Sequence, residues 1–100
     1  MTERFESLLG MAMKAGKIAF GSFQVEGVLK RKKGFLLIVA GDASTTAKYE
    51  MWAKDLGIQV LTGGSKVALG RAIGQSPKAV LMIMDKGFAE AIKKTVEQSY

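Results

Sequence analysis

Residues 35–44 read FLLIVAGDAS, and this stretch decides the fold class. From Phe35 to Ala40 every residue is apolar, the pattern of a strand buried on both faces of a sheet. Gly41-Asp42-Ala43-Ser44 then turns the chain into a helix that runs through Leu56, with Gly57 as its C-terminal stop. A second unbroken apolar run, Ala79 to Met84, predicts another buried strand. Shorter extended pieces fall at Lys17-Ile18-Ala19-Phe20 and at Ile58-Gln59-Val60-Leu61.

Helical patterns fill the intervals. Phe5, Leu8, Leu9, Ala12 and Met13 recur at helical spacing, with Thr2 as N-cap and Gly16 as stop. Gly10 lies inside that helix and weakens it by ~1 kcal/mol relative to alanine. Ser22 is placed to cap a second helix with Val25, Val28 and Leu29 facing the core. This helix runs out into Lys30-Arg31-Lys32-Lys33 and Gly34, where cations suit the negative end of the helix dipole. Thr62-Gly63-Gly64-Ser65 is a loop ending on a cap residue, followed by a short helix to about Ile73 that Gly74 stops. Gln75-Ser76-Pro77-Lys78 is a loop, because proline cannot donate to a central ladder. Asp85-Lys86-Gly87 leads into a last helix from about Phe88. Tyr49, Trp52, Met11, Met13, Met51, Met82 and Met84 read as core or groove filler. Helices alternating with buried strands predict an α/β fold: a small, largely parallel or mixed sheet of about four strands, covered by helices on both faces.

The chain has 100 residues, 48% of them hydrophobic and 24% charged, enough for one core in a single domain over residues 1–100. Cys and His are both 0, which excludes disulfides, thiolate zinc sites, cysteine nucleophiles and histidine general bases. Fifteen Lys+Arg against 9 Asp+Glu give a net charge of +6, the electrostatics of a domain that meets a polyanion. The N-terminal MTERFESLLGMAMKAG is amphipathic and unlike a secretion signal, and no apolar run is long enough to span a bilayer. A cytoplasmic location is expected, with no membrane partner.

Signatures of catalysis are sparse. Gly63-Gly64-Ser65-Lys66 has neither the order nor the spacing of a phosphate-binding loop, and no dinucleotide or hydrolase motif occurs. Asp42 and Asp85 each follow a buried strand, and Lys86 adjoins Asp85. Two carboxylates at strand ends could hold Mg²⁺ with the lysine facing a phosphate, giving a small enzyme or switch. The alternative is that both satisfy turns or helix amides.

The segment from Lys14 to Lys33 is more informative. It carries six cations, Lys14, Lys17, Lys30, Arg31, Lys32 and Lys33, against the single acid Glu26. Between them Gly21-Ser22-Phe23-Gln24 opens a helix whose first amides face an incoming anion. Ser22 and Gln24 can exchange hydrogen bonds with phosphate, sugar or base edges. Phe23 either packs against the protein, stacks on an unpaired base, or faces a protein partner as part of an adaptor surface.

LLGMAMKAGKIAFGSFQVEGVLKRKKGFLLIVAGDAS (residues 8–44), LGIQVL (56–61) and LGRAIGQSPKAVLMIMDKGFAEAI (69–92) resemble, in this order, the ribosomal protein L-seven-Ae family, especially its small bacterial YlxQ-type members. The resemblance implies a three-layer α-β-α sandwich. It also implies binding of kink-turn RNA, a sharply bent duplex–bulge–duplex with tandem G·A pairs, gripped by the helix beginning at Gly21. The loop Gln75-Ser76-Pro77-Lys78 would lie against the bulged nucleotides. The family's motif runs Gly, small residue, Asn, Glu, two variable positions, Lys. Gly21 and Ser22 match it, whereas Phe23, Gln24 and Gly27 replace the Asn, Glu and Lys. Arg31 matches a basic position one turn further on, and Asp42 matches an acidic residue after the second strand. The expectation is a non-catalytic, ribosome- or ribonucleoprotein-associated RNA binder without cofactor or metal. Its RNA contacts would come from Lys17, Gly21, Ser22, Phe23, Gln24, Arg31, Lys32, Asp42, Gln75, Ser76, Pro77 and Lys78.

Overall fold

A computed structural model describes residues 3–97 of the chain; the Thr2 cap expected for the first helix lies outside them. Helices and strands alternate as α1 (Glu3–Lys14), β1 (Ile18–Phe20), α2 (Gly21–Lys30), β2 (Leu36–Val39), α3 (Thr46–Asp55), β3 (Gln59–Thr62), α4 (Lys66–Ala72), β4 (Val80–Ile83) and α5 (Lys86–Glu97). The strands form one mixed sheet in the order β1-β4-β2-β3. β2 and β3 are parallel, while β4 lies between β1 and β2 and runs antiparallel to both.

Alternation along the strands divides the core into two layers. Leu36, Ile38, Leu81 and Ile83 face α1, α4 and α5 through Phe5, Leu9, Leu69, Ile73 and Ile92. Leu37, Val39, Val80 and Met82 face α2 and α3 through Val25, Val28, Leu29, Tyr49 and Ala53. Both β2 and β4 are buried at every position, which is why their sequences are apolar without alternation. The chain is therefore an α-β-α sandwich.

Several boundaries differ from the sequence reading. Phe35 is exposed and precedes β2, donating its N–H to the Ile83 carbonyl. β3 is shifted one residue toward the C terminus, as befits an edge strand with only its middle residues half-buried. α5 starts at Lys86 rather than Phe88, because the Asp85 carboxylate accepts the Phe88 N–H at 2.9 Å and opens the helix a turn early. Met11 and Met51 are exposed rather than core.

Four helices end in the same way. In α1, α3 and α4 the residue after the C-cap is Gly16, Gly57 or Gly74, each with φ near +70°. Its N–H and that of the next residue return to carbonyls of the last turn, as in Gly16 to Met13 (3.0 Å) and Lys17 to Ala12 (2.9 Å). α2 closes with the same pair of bonds, Lys32 to Leu29 (2.9 Å) and Lys33 to Val28 (3.1 Å), but its left-handed residue is Lys32, at φ 57°. A lysine there is held in a conformation that glycine adopts without strain.

Candidate nucleic-acid interface

The pairing brings the C-terminal ends of β1, β2 and β3 to one edge of the sheet, together with the N-terminal end of β4. The start of α2, the Gly41-Asp42 turn, the 63–66 loop and the 75–78 loop therefore meet there. Backbone bonds tie them together: Gly41 N–H to Gly64 O (3.1 Å), Ala40 N–H to Ala79 O (2.8 Å) and Lys78 N–H to Lys66 O (3.0 Å). The Asp42 carboxylate accepts the Lys66 N–H at 2.9 Å.

At one side of this edge β1, an outermost strand, passes into α2 with no intervening residue. The N-cap is consequently Phe20, in extended conformation, and not Ser22, which sits in the first turn. Gln24 reaches back one turn, its amide oxygen accepting the Phe20 N–H at 3.1 Å. No side chain caps the first turn of α2, and it contains no acid. α4 and α5 are capped by Ser65 on Ala68 N–H (3.0 Å) and by Asp85 on Phe88 N–H. The amides of Gly21, Ser22 and Phe23 have no carbonyl within their helix to bond, and Ser22, Phe23 and Gln24 are exposed. Gly21 has φ +82°, and a β-carbon on it would stand 3.8 Å from Lys78 Cδ. Lys78 extends over this point, with Nζ 5.8 Å from the Phe20 ring centroid and 2.9 Å from Ser76 Oγ.

The one acid of the segment is turned away. Glu26 accepts the Tyr49 hydroxyl at 2.8 Å and pairs with Lys48 at 3.4 Å. The Tyr49 hydrogen bond, with help from Lys48, holds the Glu26 carboxyl below its ordinary range against a smaller opposing effect of desolvation. Burial raises the Tyr49 phenol, and Glu26 adds to the rise while the Ser22 hydroxyl opposes it. Glu26 is thus a tie between α2 and α3, and its charge is compensated within the protein.

The expected site residues divide into two groups. Gly21, Ser22, Phe23, Gln24, Asp42, Gln75, Ser76, Pro77 and Lys78 gather at the edge just described. Lys32 lies beyond the far end of α2, a helix about 15 Å long. Lys17 is also remote from the edge: its carbonyl accepts the Met84 N–H at 2.7 Å, where β4 ends. Arg31 starts from that far end but leans back, with Nη1 3.7 Å from the place a Gly27 β-carbon would occupy. Lys17 and Lys32 thus stand at the opposite end of α2 from the uncapped turn, with the Arg31 guanidinium leaning back toward Gly27.

Two features escaped the sequence reading. Lys66 joins the edge through both its N–H and its carbonyl. Gly70 lets α4 lie directly on the Ser76-Pro77 backbone, where a β-carbon would come within 2.7 Å of the Ser76 carbonyl carbon. The Gly63-Gly64-Ser65-Lys66 stretch, although it lacks the order and spacing of a phosphate loop, is the signal for the first; nothing local signals the second.

The Asp42–Asp85–Lys86 constellation does not form. β2 and β4 are antiparallel, so Asp42 follows one strand at one end of the sheet while Asp85 and Lys86 follow the other at the opposite end. Each Asp accepts a backbone amide of a different helix, α4 for Asp42 and α5 for Asp85. Among the described residues no group of three or more acidic side chains could hold a metal ion, and no helix is long and apolar enough to cross a membrane.

A mixed four-stranded sheet between two helical layers, with an open, acid-free helix start at its edge, defines the class. The chain belongs to the ribosomal protein L7Ae/L30e/S12e/Gadd45 family, which it matches over residues 3–93. It is 31% identical over 93 residues to RNA-binding protein YlxQ of Enterococcus faecium, covering 91% of this chain and 89% of that protein. The structure of a Bacillus halodurans protein of unknown function superposes with a TM-score of 0.86 at 28% identity, covering 96% of this chain and 99% of that one. A 15.5 kD RNA-binding protein of Giardia lamblia shares the fold, with a TM-score of 0.78 at 24% identity over 98% of this chain and 89% of that one. The named relatives are RNA-binding proteins, a non-enzymatic class.

Proposed function

We propose that this chain is a single-domain, non-catalytic RNA-binding protein of the cytoplasm, associated with the ribosome or another ribonucleoprotein, that docks structured, kink-turn-like RNA on the sheet edge around Gly21. The observation that carries this reading is the first turn of α2: uncapped, exposed, free of acids, and overhung by Lys78. An RNA phosphate seated there would receive the amides of Gly21, Ser22 and Phe23, with the helix dipole in support. Lys78 would hold one flank, and Arg31, Lys32 and Lys17 would meet phosphates near the far end of α2. Family membership and the YlxQ relative point the same way.

Gln24 gives this protein a different reading head from the family's carboxylate. Its oxygen is engaged by the Phe20 N–H, which leaves its NH₂ group as the donor to base acceptors. Titration of a kink-turn RNA and a matched duplex across a salt series tests the proposal. The kink-turn is expected to bind more tightly, with Gln24→Ala narrowing the gap. Equal binding would leave a nonspecific RNA binder, and no binding to either at low salt would refute the reading.

A further inference from the structure

We propose that Phe23, Gly27 and Arg31 form a seat for one unpaired nucleobase, so that the RNA selected by this protein is one that presents an unstacked base to α2. The inference rests on the RNA-binding reading above and specifies which feature of the RNA is read. Phe23 is 93% exposed, the largest exposure among the exposed large apolar side chains, which also include Met51 at 68%. A phenyl ring this open contributes nothing to the core. Its apolar surface is left for something outside the fold to cover.

The helix that carries the ring fits a base. Phe23 and Gly27 on α2 and Arg31 at its C-cap are spaced four apart along one ridge, with adjacent β-carbon positions about 5–6 Å apart. Gly27 interrupts that ridge. Its backbone is helical, so no positive φ calls for glycine, and a β-carbon there would meet nothing closer than Arg31 Nη1 at 3.7 Å, an ordinary contact. Neither conformation nor packing requires the side chain to be absent, and glycine weakens a helix relative to alanine. The consequence of its absence is a step in the ridge between Phe23 and Arg31, toward which the Arg31 guanidinium leans. A base can lie on the ring over this step while the guanidinium stacks on it or takes its phosphate. Charge selects the occupant: the adjoining residues Lys30, Arg31, Lys32 and Lys33 are all cationic, and Glu26 is committed to Tyr49 and Lys48. An apolar patch meant for a protein surface has no need of that many cations.

The test uses a kink-turn RNA and a set of copies in which each unpaired base in turn is replaced by an abasic site. They are titrated with the full chain and with Phe23→Ala, Phe23→Trp and Gly27→Gln, each checked for an unchanged or raised melting temperature. Wild type is expected to lose about tenfold or more on one abasic RNA. Phe23→Ala should lose the same factor on the intact RNA and be indifferent to that abasic site, whereas Phe23→Trp retains both affinity and sensitivity. Gly27→Gln, which fills the step, should behave like Phe23→Ala. If Phe23→Ala binds every RNA as wild type does, the base seat is refuted while the RNA-binding reading stands, and the ring is left to a protein contact. Additive losses from Phe23→Ala and every abasic site would also refute stacking. Failure of wild type to bind any of the RNAs would overturn both readings.

Discussion

Gly70→Ala is expected to destabilise the protein by about 2 kcal/mol or more, although alanine is the better helix former by ~1 kcal/mol. The added β-carbon would sit 2.7 Å from the Ser76 carbonyl carbon and 2.9 Å from Pro77 Cα. These are backbone atoms, unable to rotate aside as a flexible side chain can. The 75–78 loop is pinned at the same place by Gln75 N–H to Gly70 O (2.8 Å) and Lys78 N–H to Lys66 O (3.0 Å), so relief of the clash must strain or break those bonds. In a domain of this size the melting temperature should fall by about 10 °C or more. The displaced loop carries Ser76 and Lys78, and RNA affinity should fall with it. A melting temperature equal to or above wild type in thermal unfolding would contradict the direct seating of α4 on this loop.

RNA affinity itself should fall steeply with salt. Four proposed phosphate contacts, Lys17, Arg31, Lys32 and Lys78, each release a counterion on binding. A log–log slope of about −3 follows, or about 50- to 100-fold lost between about 50 and about 200 mM salt. Lys78→Gln and Lys32→Gly should each reduce the slope by about 1 and weaken kink-turn and duplex alike. Lys32→Gly has a second expected effect. It relieves the left-handed backbone strain at φ 57°, so stability should rise by about 0.5–1 kcal/mol as binding weakens. The other three helices that close with this pair of bonds, α1, α3 and α4, have glycine at that position, and α2 has a cation. A Lys32→Gly protein with a raised melting temperature and unaltered RNA binding would remove Lys32 from the interface.

Much of this architecture is legible locally. Leu36 to Val39 and Val80 to Ile83 had to be buried on both faces because nothing polar interrupts them. Gly16, Gly57 and Gly74 announce helix ends because the closing turn needs a left-handed residue, and Ser65 announces a helix start through its hydroxyl. Strand order is not local. That β4 inserts antiparallel between β1 and β2 depends on pairing across the chain, and this is what separates Asp42 from Asp85. The turn at Lys32 was hidden for the opposite reason: the residue type there argues against the conformation it adopts. The site was half-legible. Gly21, Ser22 and the cations stand out in sequence, but the return of Gln24 to Phe20 and the lean of Arg31 over Gly27 are side-chain geometry that spacing does not specify.

The most direct test is a titration of isotope-labelled protein with kink-turn RNA, following each backbone amide by nuclear magnetic resonance. The amides of Gly21, Ser22 and Phe23 are expected to show the largest shifts and to gain protection from solvent exchange, with Lys78 moving alongside them. Saturable binding that leaves those three amides unchanged, with the shifts gathered on α5 or the β3 edge, would contradict the assignment of the α2 start as the place where RNA docks.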